Sequence, residues 1–477
     1  MTPEFAPDNA ESLPLWLIWS GKDGPDLSQL DGDIRTRARD WAGKAQFTGA
    51  AGKLCLLPGA DGGLAGALFG MGPRRAAADR PARDRFPLAR AVAQLPAGVW
   101  HLAGADGPDF DPEMAALGWL LGQYAFDRYK PSSGDSRAML KAPAGADAAR
   151  ALAMARAEFL TRDLINTPSN DMGPDQIEAA ARDLAKAHDA RITVTAGDDL
   201  PAANLPMIHA VGRASSRAPR LIDLRFGGTA GPRVTLVGKG VAFDTGGLDI
   251  KPAAGMALMK KDMGGAATVL GLAQLLAETG ATKHMQLRVL IPAVENAISG
   301  NAMRPGDVLT SRKGLTVEIN NTDAEGRLIL ADALALAAEE KPQLLISMAT
   351  LTGAARVALG PDLPPFFCDD DSVAAAIHQG GQAGADPVWR MPFWEPYEPM
   401  IEPLIADLDN APGGGFAGAI TAALFLRRFA EGARHYAHFD IYGWTPAAAP
   451  GRPKGGVAQG ARAIFNALPE ILPGLSA

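Results

Sequence analysis

The sequence predicts an α/β protein whose main sheet is mostly parallel or mixed, with helices on both faces. Three observations carry this. Strand-like apolar runs alternate with helical runs through the last two thirds of the chain. Charged residues cluster at the ends of those runs, where α/β sheets build sites. The length, 477 residues, suits two or three domains, and 47% apolar with 21% charged residues is ordinary for a globular chain.

Residues 1–145 differ in texture. They are rich in Ala, Gly, Asp and Pro, with short strand-like runs at 53–57 and 99–102. The apolar run 13–19 is short, broken by Pro14, and has no basic region before it, so no signal peptide is expected. The stretch 129–147, with Pro131, Ser132, Ser133, Gly134 and Asp135, reads as a linker. A helical pattern then runs from Ala148 to the Asn166-Thr167-Pro168 break, where proline disfavours helix at the preceding residue. The domains are therefore set at 1–145 and 146–477.

Beyond this, helix is expected at 176–188 and strands at 191–195, 221–226 and 233–237. A helix follows at 264–279, with Val269, Leu272 and Leu276 on one face and Gly280 at its C-terminal end. A buried strand at 286–291, a strand at 315–319, a helix at 328–340 and a strand at 344–348 come next. A helix at 418–430 and a strand at 436–441 close the pattern. No repeat of solenoid period is present.

The net charge of −7 argues against nucleic acid as the main partner. No segment reaches the roughly 20 unbroken apolar residues of a membrane span. Cys55 and Cys368 are far apart and fit small buried thiols in a reducing cytoplasm.

The most informative stretch is Asn321-Thr322-Asp323-Ala324-Glu325-Gly326-Arg327-Leu328. After a strand end, Asp323 and Glu325 can converge, with Gly326 allowing a sharp turn and Arg327 supplying a cation. Oxygen ligands beside a cation suit metal chemistry, and a solvated surface turn suits the octapeptide equally well. A second stretch runs Val237-Gly238-Lys239-Gly240-Val241-Ala242-Phe243-Asp244-Thr245-Gly246-Gly247-Leu248. It continues to Lys251 and to Met259-Lys260-Lys261-Asp262-Met263.

Together the two stretches resemble the leucyl aminopeptidase family, the M17 peptidases. The resemblance extends through Asn166 to Asn170, Arg304-Pro305-Gly306-Asp307 and Ala349-Thr350-Leu351-Thr352-Gly353-Ala354, covering about residues 150–445. It implies a smaller N-terminal α/β domain and a larger C-terminal α/β/α catalytic domain. It also implies two divalent ions, Zn or Mn with Co or Mg as alternates. Asp244 and Glu325 would bridge them, Asp323 would complete one site, and Lys239 with Asp262 the other. Lys251 and Arg327 are then the catalytic cations, Arg327 holding a bicarbonate as general base. Met259, Thr350, Leu351, Gly353 and Tyr442 would line the substrate site. The family further implies peptide substrates, a homohexamer and a cytoplasmic location. The rival readings are a DNA-binding architectural role and an inactive scaffold.

Lysine ligates a metal only as the neutral amine, against a free pKa of about 10.4. Taken alone, Lys239 is better read as a salt bridge to Asp244. No His-Glu-x-x-His is present among the seven histidines, and His435 and His438 read as structural. No Gly-x-Ser-x-Gly elbow occurs, and the Gly-Lys-Gly turn fits neither nucleotide-binding fingerprint. Gly413-Gly414-Gly415 reads as a flexible connection, and Trp389, Phe393 and Trp394 as core or interface. The chain departs from the family at Tyr442, where a small residue lines the pocket for the first side chain. Leucine preference is therefore not expected to carry over.

Overall fold

The computed structural model describes residues 2–75, 85–104, 110–131 and 137–473. Two compact units form, Met1–Phe159 with Ala447–Lys454, and Leu160–Pro446 with Gly455–Ala477. The linker expected at 129–147 falls partly on residues 132–136, outside the described residues. The rest of that stretch includes a strand, Ala138–Leu140, so it is more than a connection. Three residues are too few to display an alternating pattern.

In the first unit, the described residues form a sheet around the strand Leu13–Gly21. That strand pairs in parallel with Leu64–Pro73 on one side and Gly98–Ala103 on the other. The short apolar run at 13–19 is thus a central strand, and Leu15 to Trp19 are all buried. Burial on both faces explains why it reads as continuous rather than alternating. The helix Pro112–Gly122 opens with Pro112 in its first turn, and Asp111 accepts a hydrogen bond from the Met114 N–H at 3.1 Å.

The second unit is built on a nine-stranded sheet. Its strands are β1 (Arg191–Ala196), β2 (Arg220–Phe226), β3 (Arg233–Gly238), β4 (Gly240–Asp244), β5 (Gln286–Asn296), β6 (Leu344–Ala349), β7 (Pro365–Cys368), β8 (Trp389–Met391) and β9 (His435–Asp440). The order is β8-β7-β9-β6-β3-β5-β2-β1, with β4 also on β5. The central pairings β9–β6, β6–β3 and β3–β5 are parallel, and β5–β2, β2–β1 and β9–β7 are antiparallel.

Helices α1 (Pro174–Ala187), α2 (Pro206–Gly212), α3 (Gly264–Glu278), α4 (Glu325–Ala338), α5 (Gly353–Leu359), α6 (Gly418–Arg427) and α7 (Ala461–Ile471) accompany this sheet. Alternate strand residues feed two cores. Leu344, Ile346 and Met348 of β6 join Val269, Leu272 and Leu276 of α3. Leu345 and Ala349 join Leu328, Leu330 and Leu334 of α4 and Leu424 of α6. The sheet therefore has α1, α3 and α7 on one side and α2, α4 and α6 on the other. Among the described residues no helix is long and apolar enough to cross a membrane.

Several elements differ from expectation. Helix α4 starts at Glu325, not 328, so Gly326 and Arg327 are helical rather than part of a turn. The strand expected at 315–319 is Thr316–Glu318, in a small separate sheet with Val308–Thr310 and Leu408–Asp409. The strand expected at 286–291 runs on to Asn296. The Gly-rich segment after Lys239 contains the strand β4 instead of turning at once. Phe393 is buried, but Trp389 and Trp394 are 53% and 50% exposed and do not pack the core. Cys55 and Cys368 are free and buried.

Asp332 of α4 is fully buried and ties three segments together. Its carboxylate accepts from the backbone N–H of Met207 at 2.8 Å, of Ile208 at 3.4 Å and of Arg312 at 2.8 Å. The first two are at the start of α2, whose leading N–H groups have no partner within the helix.

Candidate metal centre

Parallel pairing along β5 is interrupted at Lys239. Val237 lies opposite Leu290 and Gly240 opposite Ala293, so the register is kept across Lys239, which sits in the gap between β3 and β4. Its N–H donates to the Met348 carbonyl at 3.0 Å, and its own carbonyl accepts from the Ala266 N–H at 2.9 Å. The backbone is thereby fixed between β6 and α3. Its ammonium lies 2.7 Å from Asp262 Oδ2 and 2.9 Å from Glu325 Oε1, and donates to the Thr350 carbonyl at 3.0 Å.

Asp244 ends β4. Its Oδ1 accepts from Asn296 Nδ2 at 2.8 Å and from the Gly246 N–H at 2.9 Å. Its Oδ2 lies 2.8 Å from Lys251 Nζ, which also pairs with Asp323 Oδ1. Gly246 and Gly247 hold φ of 87° and 66°, the left-handed turn that returns the chain to Lys251. Asp262 belongs to the short 3-10 helix Met259–Met263, directly before α3, and accepts from Thr350 Oγ1 at 2.7 Å. Glu325 opens α4 and is 1% exposed. Oxygens of Asp244, Asp323 and Glu325 lie within 4.8 Å of one another.

Four carboxylates thus face two ammonium groups. Burial pushes Glu325 up to about 8 and Asp323 up to about 6, with Asp244 adding to both. Asp262 is also raised, chiefly by burial. Burial by itself would lower Lys239 and Lys251, yet their carboxylate neighbours outweigh it and both are raised. Asp262 Oδ2, Asp323 Oδ1 and Glu325 Oε1 sit within ion-pair distance of these lysines but take no aligned hydrogen bond. Each ammonium bridges two carboxylates, the task a divalent cation performs in such a donor set. The residues fit hard or borderline metals. A neutral Lys239 amine needs the surrounding negative charge to be compensated.

Arg327, in the first turn of α4, is 8% exposed, and among the described residues its Nε has no hydrogen-bond partner. Burial lowers it to about 10, partly offset by Glu325 and Asp440, so it stays cationic at neutral pH.

The residues expected at the substrate site come from three segments. Asp440, at the end of β9, accepts from the Leu351 and Thr352 N–H groups at 3.0 and 3.1 Å and from Thr352 Oγ1 at 2.6 Å. It holds the 350–353 turn, and burial raises its carboxyl to about 6. Thr350 is buried, Met259 and Leu351 are half-buried, and Gly353 is exposed at the start of α5. Tyr442 and Gly443 donate from their N–H groups to Gln459 Oε1 at 3.0 and 2.9 Å. A Cβ on Gly443 would lie 3.2 Å from Thr350 Cγ2, so this turn packs beside Thr350. The half-buried Tyr442 ring has Lys261 Nζ at 4.8 Å and Arg356 Cζ at 5.4 Å from its centroid.

Sequence reasoning assigned no role to Asn296, Thr322, Asn410 or Asp440. Thr322 Oγ1 donates to the Gly246 carbonyl at 2.6 Å, and Asn410 Nδ2 donates to the Asn321 carbonyl at 2.7 Å, locking the two acidic loops. Asn296 and Asp440 both end strands, and that position was the available signal. His438 is fully buried, with Nδ1 2.9 Å from Ser347 Oγ, and His435 Nδ1 lies 3.1 Å from Asp370 Oδ2.

Residues 159–465 match the catalytic domain of the cytosol aminopeptidase family, and residues 24–143 match the M17 aminopeptidase N-terminal domain. A probable cytosol aminopeptidase of Roseiflexus castenholzii is 39% identical, with 96% of each chain covered. One from Methylibium petroleiphilum is 42% identical over 75% of this chain and 76% of its own. The crystal structure of cytosol aminopeptidase from Coxiella burnetii superposes with a TM-score of 0.87 at 42% identity, covering 97% of this chain and 98% of that one. The bottromycin maturation enzyme BotP in complex with Mn gives a TM-score of 0.84 at 30% identity, covering 96% and 99%. Fold and site together define a metal-dependent peptidase, a hydrolase that acts on peptides. The chain belongs to the cytosol aminopeptidase family, the M17 aminopeptidases.

Proposed function

We propose that this chain removes the N-terminal residue from peptides with two divalent ions, Zn or Mn, held by Lys239, Asp244, Asp262, Asp323 and Glu325. The observation that carries this reading is the excess of carboxylates over ammonium groups around Lys239 and Lys251. Bound ions of this kind polarise a carbonyl and lower the pKa of water.

The chain's own residues do the rest. Lys251, no longer required between Asp244 and Asp323, turns its ammonium to the negative charge that develops on the scissile carbonyl oxygen. Arg327 would hold a bicarbonate through its guanidinium, unpartnered at Nε among the described residues, and such an anion would supply a general base at that place. No side-chain base is left for that task, since the four carboxylates are engaged as ligands. Met259, Thr350, Leu351, Gly353 and Tyr442 receive the first residue of the peptide, with Asp440 as a positioning residue for the 350–353 turn.

In this reading residues 146–477 carry the chemistry and 1–145 form a separate domain. The protein works in the cytoplasm as a homohexamer, which excludes folded proteins from its sites. Hydrolysis of a panel of aminoacyl amides, at defined Zn and Mn and with metal content measured, tests the proposal. Two bound equivalents with release of the first residue are expected. Undiminished hydrolysis in metal-stripped protein overturns it.

A further inference from the structure

Lys261 does not take part in the carboxylate cluster beside it. It is 6% exposed, and among the described residues no carboxylate lies within ion-pair distance of its ammonium and no acceptor takes its protons. Burial lowers the pKa of the Lys261 ammonium, with Lys239 and Arg356 adding to this, while Asp262 and Asp440 act the other way through space; Asp262 is itself engaged by Lys239 and Thr350, and Asp440 by the 350–353 turn. Its near neighbour is the Tyr442 ring, 4.8 Å away. Arg356, exposed on α5, approaches the same ring to 5.4 Å, and among the described residues no carboxylate lies at ion-pair distance from it. A cation over an aromatic face gains less than a buried ammonium loses on leaving water unpaired. Two cations around one tyrosine therefore make a spot that favours an anion.

We infer that Lys261, Tyr442 and Arg356 form a cationic wall of the first-side-chain pocket and select peptides that begin with an acidic residue, glutamate or aspartate. The inference rests on the reading of Tyr442 and Thr350 as pocket residues. On that reading the Tyr442 ring, flanked by the two cations, would take space that a long aliphatic side chain needs. The side-chain carboxylate of the substrate supplies the counter-charge that Lys261 lacks in the protein. Charge-assisted hydrogen bonds of this kind are the strong ones, and a neutral amide of the same shape forfeits most of that gain.

The test compares kcat/KM for Glu, Gln, Leu and Ala p-nitroanilides at neutral pH in the wild type and in Lys261→Met, Arg356→Met and Tyr442→Ala. The Glu to Gln ratio isolates charge at constant shape and cancels any general loss of activity. A wild-type ratio of about tenfold or more is expected, the size of one hydrogen bond to a charged group. It should fall to near one in Lys261→Met and be reduced in Arg356→Met. A wild-type ratio near one, or a ratio that survives in Lys261→Met, overturns the acidic preference. If the Leu to Ala ratio still moves in Tyr442→Ala, the pocket reading stands without the acidic preference. If no variant moves either ratio, both fall.

Discussion

A methyl group on Gly326 would lie 2.5 Å from Cε and 2.8 Å from Nζ of Lys239. The first turn of α4 thus abuts the lysine that reaches from the break between β3 and β4. Gly326 is helical, so its missing side chain serves this close approach. Gly326→Ala is expected to push the Lys239 amine off Asp262 and Glu325, lowering both metal content and turnover by more than tenfold while the far-ultraviolet spectrum is kept. Overpacking of this kind costs about 1–3 kcal/mol, so the chain should remain folded. Wild-type turnover in this variant would show that the contact relaxes without consequence.

Asp244→Ala and Glu325→Ala are expected to abolish hydrolysis and release metal, since both residues belong to the proposed ligand set and would be shared by the two ions. Metal analysis by mass spectrometry of the purified variants decides this. Two equivalents retained in either one would remove that residue from the ligand set.

Lys251→Ala and Arg327→Ala should behave differently. Neither is a proposed ligand, so both variants are expected to keep metal. Turnover should drop roughly a hundred- to a thousand-fold, the scale of a lost oxyanion donor. Added bicarbonate should raise the wild-type rate and leave Arg327→Ala unmoved. Normal rates in either variant would reduce that cation to a structural charge.

Tyr442→Ala is expected to open the pocket for the first side chain. The kcat/KM ratio of leucine to alanine substrates should rise by about ten- to a hundredfold, as expected for one or more methylenes newly accommodated. An unchanged ratio with wild-type metal content would mean that the ring stands outside the pocket.

Asp332→Ala leaves the N–H groups of Met207, Ile208 and Arg312 without their shared acceptor. Each buried unsatisfied donor costs about 1–3 kcal/mol, so the midpoint of thermal unfolding should fall by several degrees. Asp332→Asn, which keeps one accepting oxygen, should recover part of it. An unchanged midpoint in the alanine variant would mean that these groups find other acceptors.

The sequence by itself determined the fold class, the ligand candidates and the loops that carry them. Those features are local: an apolar period, a proline after Asn166, an acidic pair around Ala324. Its errors were also local. Gly326 read as a turn because a glycine between charged residues looks the same in a turn and in a helix squeezed against Lys239. The run 13–19 was weighed only as a signal peptide and not assigned as a strand, because a central strand carries no alternation. Only the tertiary structure decided that Lys239 faces Asp262 and Glu325, that Lys251 faces Asp244 and Asp323, and that Lys261 and Arg356 close on Tyr442. Most of these partners are distant in the chain: Lys239 and the 350–353 turn come from the ends of the parallel strands β3 and β6, while Asp323 and Glu325 arrive from the small separate sheet at the start of α4. A residue's type and local spacing state what it can bind, but the charge it faces is set by which strand ends become neighbours.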